Sequence, residues 1–256
     1  MPELTDVLLL CAAAAFAGWV DAISGGGGLV QLPALLIGLP SASPATVLAT
    51  NKLSSICGTA AAALTYHRRV RPDLRTALPM AGFALVGAAL GALCASLLPR
   101  EVFTPVVLVL MVAVALFTAV RPDFGQTQAL RWAGRRHHSA AGVGGAVIGF
   151  YDGIFGPGTG AFLVVLLVAL LGYSLLQASA KARIVNLATN LGALLVFVPQ
   201  GAPMWRLGLL MGVCNIGGGW LGAHTAISRG SRFVRAVFLA VVTGLILRLT
   251  YDVVGR

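Results

Sequence analysis

Two carboxylates and two cations stand in stretches that otherwise read as hydrocarbon. Asp21 lies in Gly18-Trp19-Val20-Asp21-Ala22-Ile23-Ser24-Gly25-Gly26-Gly27-Gly28, and Asp152 in Gly149-Phe150-Tyr151-Asp152-Gly153-Ile154-Phe155-Gly156-Pro157-Gly158. Lys52 follows Thr50-Asn51 inside one apolar run, and Arg183 follows Lys181-Ala182 inside another. A charge within a membrane helix costs at least about 2.5–3.5 kcal/mol, so each is a functional candidate by default. Glycine runs break a helix and bring backbone amides to a surface. The N-terminus of the helix that follows aims free N–H groups outward, which suits an anion. Gly25 and Gly27 in the first run, and Gly156 and Gly158 in the second, are therefore candidate anion contacts. At helical spacing Lys52, Ser55 and Thr59 share one face, and so do Arg183, Asn186 and Asn190. With Asn51 these make two polar stripes, each headed by a cation, which is what an anion site inside a membrane needs. Asp21 and Asp152 can cap the glycine turns, pair with the cations or take up a proton. The plainer alternatives are a tight turn for each glycine run and snorkelling to an interface for Lys52, Lys181 and Arg183.

The elements that carry these residues follow from composition. Of 256 residues 58% are hydrophobic and only 10% charged, and the mean hydropathy is +0.90. Soluble domains are near a quarter charged, and a soluble fold of this length could not hide so much apolar surface. The expected class is an all-α polytopic membrane protein, with Leu4–Ile23 as a retained membrane segment. The net charge of +10 is gathered in short gaps between apolar runs, at 67–75, 121–138 and 229–235. That is the pattern of cytoplasmic loops, not of a nucleic-acid groove. Cys11, Cys57, Cys94 and Cys214 are far apart with no metal-ligand spacing, His137 and His138 belong to a basic linker, and no cofactor or metal is expected. Asn215 reads as packing, or at most as one side of the site.

An offset of 131 superposes the two halves without a gap. Gly18, Asp21, Ile23, Gly25 and Gly27 fall on Gly149, Asp152, Ile154, Gly156 and Gly158; Lys52 falls on Arg183, Arg75 on Arg206, and Gly87 and Gly91 on Gly218 and Gly222. The expected organisation is a first membrane repeat over 1–125, a basic linker at 126–131 and a second repeat over 132–256. Each half holds apolar stretches near 4–23, 28–39, 46–66, 76–98 and 102–120, or 139–155, 160–172, 177–198, 206–228 and 235–253. The stretches 28–39 and 160–172 fall short of the roughly 20 residues a span needs, so each half reads as a glycine-broken hairpin plus about three transmembrane helices. The loop after the third stretch is basic in the first half and uncharged in the second, and the loop after the fourth reverses this. Corresponding loops then lie on opposite sides: the repeats are inverted, the linker is cytoplasmic and both termini face outside. Inverted repeats place a transport site near the bilayer midplane between them.

Asp21-Ala22-Ile23-Ser24-Gly25-Gly26-Gly27-Gly28-Leu29, Ala49-Thr50-Asn51-Lys52, Ala180-Lys181-Ala182-Arg183 and Asn186-Leu187-Ala188-Thr189-Asn190 resemble the sulfite exporter TauE/SafE family across nearly the whole chain. The departures are mild: Pro157 interrupts the second glycine run, and Ala182 stands where the first half has Asn51. The resemblance implies an inner-membrane carrier of sulfur-containing anions such as sulfite, sulfoacetate or other organosulfonates. Its partners would be that small anion, a coupling proton or ion, and the lipid bilayer, with no nucleic acid. The alternatives are a passive anion channel or a carrier of a non-sulfur anion such as a carboxylate. An enzyme is not expected, because no G-x-S-x-G, Cys/His pair or paired metal set occurs at credible spacing.

Overall fold

The computed structural model describes residues 4–95 and 129–254. The fifth apolar stretch of the first half, 102–120, and linker residues 126–128 lie outside them. Every regular element among the described residues is a helix, the form in which a chain in hydrocarbon satisfies its own backbone. In order they are α1 (Leu4–Ser24), α2 (Gly28–Gly38), α3 (Pro44–Val70), α4 (Leu74–Ala95), α5 (Gly134–Ile154), α6 (Thr159–Val165), α7 (Leu175–Phe197) and α8 (Trp205–Val254). A π-helical turn, Leu166–Leu170, continues α6. Gly230 interrupts α8 with φ 71 and ψ −172, a conformation outside any helix.

α1, α4 and α7 are long and apolar enough to cross a membrane. α2 has 11 residues, about 16 Å at 1.5 Å each, against a hydrocarbon core of about 30 Å. It is too short to cross alone, as its sequence predicts. Local chemistry sets the long helices' ends. Ser43 caps α3 by accepting from Thr46 N at 3.2 Å, with Pro44 at the first helical position. Arg71 ends it in the left-handed region at φ 51, and Pro72 cannot continue it.

Glycines set the helix seams. A methyl group on Gly218 or Gly222 of α8 would overlap the carbonyl of Ala15 or Trp19 in α1; one on Gly87 or Gly91 of α4 would overlap the carbonyl of Ala146 or Phe150 in α5. Backbones approach this closely only where no side chain intervenes. In both seams the paired residue numbers rise together, so α1 runs parallel to α8 and α4 parallel to α5. α3 also runs parallel to α8, with Leu53 against Gly208 and Cys57 against Gly212. α7 runs antiparallel to α3: Gln177 near its start donates to Val70 O at 3.5 Å, and Met204 just past its end donates through its backbone to Thr50 Oγ1 at 3.1 Å. Leu8, Val143 and Val213 are each more than 60% exposed. On a soluble monomer such surfaces would form a large sticky patch; in a bilayer they face acyl chains.

Candidate anion site between the hairpin tips

The two glycine breaks meet inside the bundle. Gly25 adopts φ 83 and Gly156 φ 89, the left-handed region that ends α1 and α5 without a side-chain penalty. Ala161 N donates to Gly25 O at 3.2 Å, and a Cβ on Gly28 would lie 3.2 Å from Gly156 O. The tips thus touch, backbone to backbone.

Beside them lies a cavity of ≈ 20 Å³ walled by both halves. Ala17, Asp21, Gly25, Gly27, Gly28 and Gln31 line it from the first hairpin, and Asn51, Lys52, Ser55 and Thr59 from α3. Asp152, Gly156, Thr159 and Gly160 line it from the second hairpin, Asn186 and Asn190 from α7, and Asn215 from α8. A water needs about 10–15 Å³, so the space as it stands has room for about one water.

Two ion pairs cross between the halves. Lys52 Nζ sits 2.5 Å from Asp152 Oδ2, with both side chains 2% exposed. Arg183 Nη1 sits 2.7 Å from Asp21 Oδ2, with Arg183 fully buried and Asp21 16% exposed. Adding 131 to Asp21 and Lys52 gives Asp152 and Arg183, so each pair is the counterpart of the other with the halves exchanged. Snorkelling is overturned for Lys52 and Arg183: both point inward, where a lone charge would cost several kcal/mol and a paired one is tolerated. The two cations and two carboxylates sum to zero charge.

The pairs are not equivalent. Asp152 Oδ1 also accepts from Thr159 Oγ1 at 2.6 Å. Thr159 corresponds to Gly28 in the first half, which has no hydroxyl to offer, and Asp21 Oδ1 has instead the Gly27 amide at 3.4 Å. Arg183 spends Nη1 on Asp21, while its buried Nε and Nη2 have no protein partner. Nη2 faces the wall, 3.0 Å from where a Cβ on Gly160 would lie. Asn190 Nδ2 and Asn51 Oδ1 are likewise buried without a protein partner. A buried donor left unpaired costs about 1–3 kcal/mol, so such a group asks for an explanation.

The sequence-derived candidates mostly converge here. Asn51, Lys52, Ser55, Asn186, Asn190, Gly25, Gly27, Gly156, Asp21 and Asp152 all line the cavity. Arg183 stands one layer back, behind Asp21 and Gly160. Gly158 is the left-handed residue (φ 76) that caps α6, off the wall. Gln31, Thr159 and Gly160 were not singled out by the sequence. Gln31 donates to Asn51 O at 3.3 Å and accepts from Asn215 Nδ2 at 2.8 Å. A lone amide in the apolar run 28–39 was the available signal. Asn215 wedges between Gly18 and Gly58 and donates to Ala14 O at 2.9 Å, so it both packs and lines.

Bulk at the tips would disturb the fold itself: a Cβ on Gly27 would lie 2.5 Å from Asp21 Cβ and 2.6 Å from Ala17 O. A Cβ on Gly25 would overlap the Gly160 carbonyl carbon. Gly25→Val and Gly27→Val are each expected to cost more than about 3 kcal/mol, the scale of a forced overlap in a packed core. The check is the melting temperature in detergent; an unchanged value would mean that the tips are looser than their contacts imply.

The sulfite exporter TauE/SafE family model matches residues 10–249. The chain is 38% identical over 255 residues to the "Probable membrane transporter protein ORF9" of Sinorhizobium sp, covering 98% of this chain and 96% of the relative. It is 32% identical over 257 residues to the "Probable membrane transporter protein YfcA" of Escherichia coli (strain K12), covering 100% and 93%. A "Probable membrane transporter protein" of Haemophilus influenzae is 32% identical over 241 residues, covering 92% and 91%. No solved structure matches. With the family model spanning both hairpins and both ion pairs, the chain belongs to the sulfite exporter TauE/SafE family.

Proposed function

We propose that the chain is a secondary carrier of a small anion, of the sulfur-containing class that includes sulfite, sulfoacetate and other organosulfonates, bound at the cavity between two inverted repeats. One observation carries this reading. A fully buried guanidinium gives Nη1 to Asp21 and keeps Nε and Nη2 without a protein partner, one layer behind the cavity wall at Asp21 and Gly160. An oxyanion matches that planar fork. The cavity as it stands has room for about one water, so an oxyanion of any length requires the tips to part. The family's name and the relatives' names agree with transport, and sulfur specificity is our extension of the former to this chain.

The inverted arrangement is supported by reciprocal contacts. Gly18 against Asn215 and Gly149 against Ala84, Gly87 against Ala146 and Gly218 against Ala15, and the two ion pairs all interchange under the same offset. Exchange of partners in this way is what a two-fold relation produces. α3 and its counterpart α7 run antiparallel, as inversion demands. We place the basic loops 68–75 and 229–235 in the cytoplasm of a cell with the chain in its inner membrane; cysteines at Arg71 and Gln200 labelling from the same face would reverse this.

Charge balance gives the coupling. With the four ionised groups summing to zero, an incoming monoanion would leave one uncompensated charge in a low-dielectric site. A proton taken up by Asp21 restores neutrality and frees Arg183 for the anion. Asp21 is the better placed carboxylate, being the more exposed and the more weakly held.

The test is counterflow in proteoliposomes loaded with sulfite, thiosulfate, methanesulfonate, sulfoacetate or acetate. At least one sulfur oxyanion should accelerate exchange, and net accumulation should stop when an uncoupler is added. Flux indifferent to the anion on the far side would identify a channel, and stimulation by acetate alone would transfer the reading to carboxylates.

A further inference from the structure

A second polar cluster, buried except for the exposed Asp73, lies away from the cavity, at the end of the bundle that carries Arg71. Its members come from separate elements: Asp73 from the α3–α4 connection, Thr76 from the first turn of α4, His137 from the first turn of α5, Tyr173 from the connection before α7, and Lys181 from α7. Thr76, His137, Tyr173 and Lys181 are each at most 5% exposed. Thr76 Oγ1 donates to Asp73 Oδ2 at 3.0 Å, and Arg75 N donates to Asp73 Oδ1 at 2.9 Å. Thr76 Oγ1, His137 Nε2 and Tyr173 OH form a triangle with sides of 3.2, 3.0 and 3.0 Å. Lys181 Nζ donates to Asp73 O at 3.1 Å and lies 4.5 Å over the Tyr173 ring.

Neither the anion site nor its charge balance uses this cluster, and the repeat does not explain it. The counterpart positions in the other half are Asp6, Ala42, Thr50, Met204 and Leu207. There the contact equivalent to Lys181–Asp73 is the neutral hydrogen bond from Met204 N to Thr50 Oγ1.

Proton counting shows what the triangle responds to. The Thr76 hydroxyl proton is committed to Asp73, because a carboxylate only accepts. A neutral His137 with a bare Nε2 then takes the Tyr173 proton. A protonated His137 turns Nε2 into a donor, and Tyr173 must rotate its proton towards Thr76. It also adds a second cation close to Lys181, opposed by a carboxylate, Asp73, that is itself exposed to solvent. The groups facing His137 are Tyr173 and Lys181 from the α7 side and Asp73 from the α3–α4 connection, with His138 beside it on α5. His137 lies outside the apolar stretch 139–155. Burial first, then the charges of His138 and Lys181, push its pKa below the ordinary histidine value, with Asp73 opposing.

We propose that Asp73, Thr76, His137, Tyr173 and Lys181 form a proton-binding latch that closes the Arg71 end of the bundle, and that protonation of His137 releases it. The sign follows from linkage. The closed form holds His137 neutral with a depressed pKa, so it binds protons less well than the released form; the latch is secure at and above neutral pH and weakens as pH falls. Release frees the start of α7, the helix that carries Arg183 and Asn190, from α4 and α5. The latch stands on its own contacts and does not depend on which anion the cavity binds.

Hydrogen exchange of the full chain in detergent, at pH 5.5 and 7.5 and corrected for intrinsic exchange rates, tests this without any ligand. The amides of Gly172 and Tyr173, bonded to Val168 O and Leu167 O, are expected to exchange faster at pH 5.5 than at pH 7.5, because the released form binds the proton better than the closed one. The opposite end, 198–204, should be unchanged. His137→Gln keeps a hydrogen-bonding group and should remove the pH response. Tyr173→Phe keeps the ring beneath Lys181 and should give the fast rate already at pH 7.5. Equal rates at the two pH values in the unmodified chain would overturn the proposal, as would a full pH response in His137→Gln. If His137→Gln does not fold, a slow rate at pH 7.5 in Tyr173→Phe overturns it equally.

Discussion

Arg183→Lys is expected to keep the fold and lose at least about 100-fold in anion affinity. Lysine retains a positive charge opposite Asp21, so the ion pair at 2.7 Å has a successor and no carboxylate is stranded. It cannot reproduce the guanidinium fork, and the donors now without a protein partner, Nε and Nη2, disappear. Two charge-assisted hydrogen bonds are worth about 1.5–3 kcal/mol each, and every 1.4 kcal/mol is about tenfold. The melting temperature without anion should stay within about 4 °C, the effect of roughly 1–2 kcal/mol in a chain of this size. Ligand-induced thermal shift and counterflow on the same preparation separate binding from folding. Wild-type affinity in this variant would make Arg183 a strut for Asp21 and remove it from the anion's path.

Asp21→Asn is expected to abolish the pH dependence of anion binding and to tighten binding at high pH. In the unmodified chain each bound monoanion draws in one proton, so affinity weakens by up to about tenfold per pH unit as protons become scarce. Asparagine removes the carboxylate that competes for Arg183, leaves the site with one net positive charge and needs no proton. Titration with methanesulfonate, whose own charge is constant, reads this between about pH 5 and 8. Uphill uptake should disappear, because no proton accompanies the anion. Asp152→Asn should behave differently. That carboxylate is 2% exposed and held by both Lys52 and Thr159, so its loss strands a buried lysine and costs about 3–5 kcal/mol. An unaltered pH dependence in Asp21→Asn would rule out this carboxylate as the coupling group.

The charged part of the site was legible because charge in hydrocarbon is costly. Asp21, Lys52, Asp152 and Arg183 stand out in any apolar sequence, and helical spacing places Ser55, Asn186 and Asn190 beside the cations. The short stretches 28–39 and 160–172 were legible because a helix rises a fixed distance per residue. The glycines were legible as breaks but not in their individual roles. Gly25 and Gly156 carry the left-handed turns, Gly27 is the N-cap of α2 pressed against Asp21, and Gly158 caps α6 away from the cavity. Those differences depend on which backbone approaches which.

Hydropathy, periodicity and the cost of intramembrane charge act locally along the chain, so the membrane class, the offset of 131 and the residue types of the site can be read without the fold. The pairing cannot, because it depends on which helices pack together. Asp21 lies 31 residues from Lys52 in sequence, yet its partner is Arg183 of the other half, and Lys52 pairs with Asp152. The same holds for Gln31 against Asn215 and for His137 against Thr76 and Tyr173. Each residue has several chemically equivalent partners along the chain, and the glycine seams that hold α1 against α8 and α4 against α5 bring one of them within bonding distance.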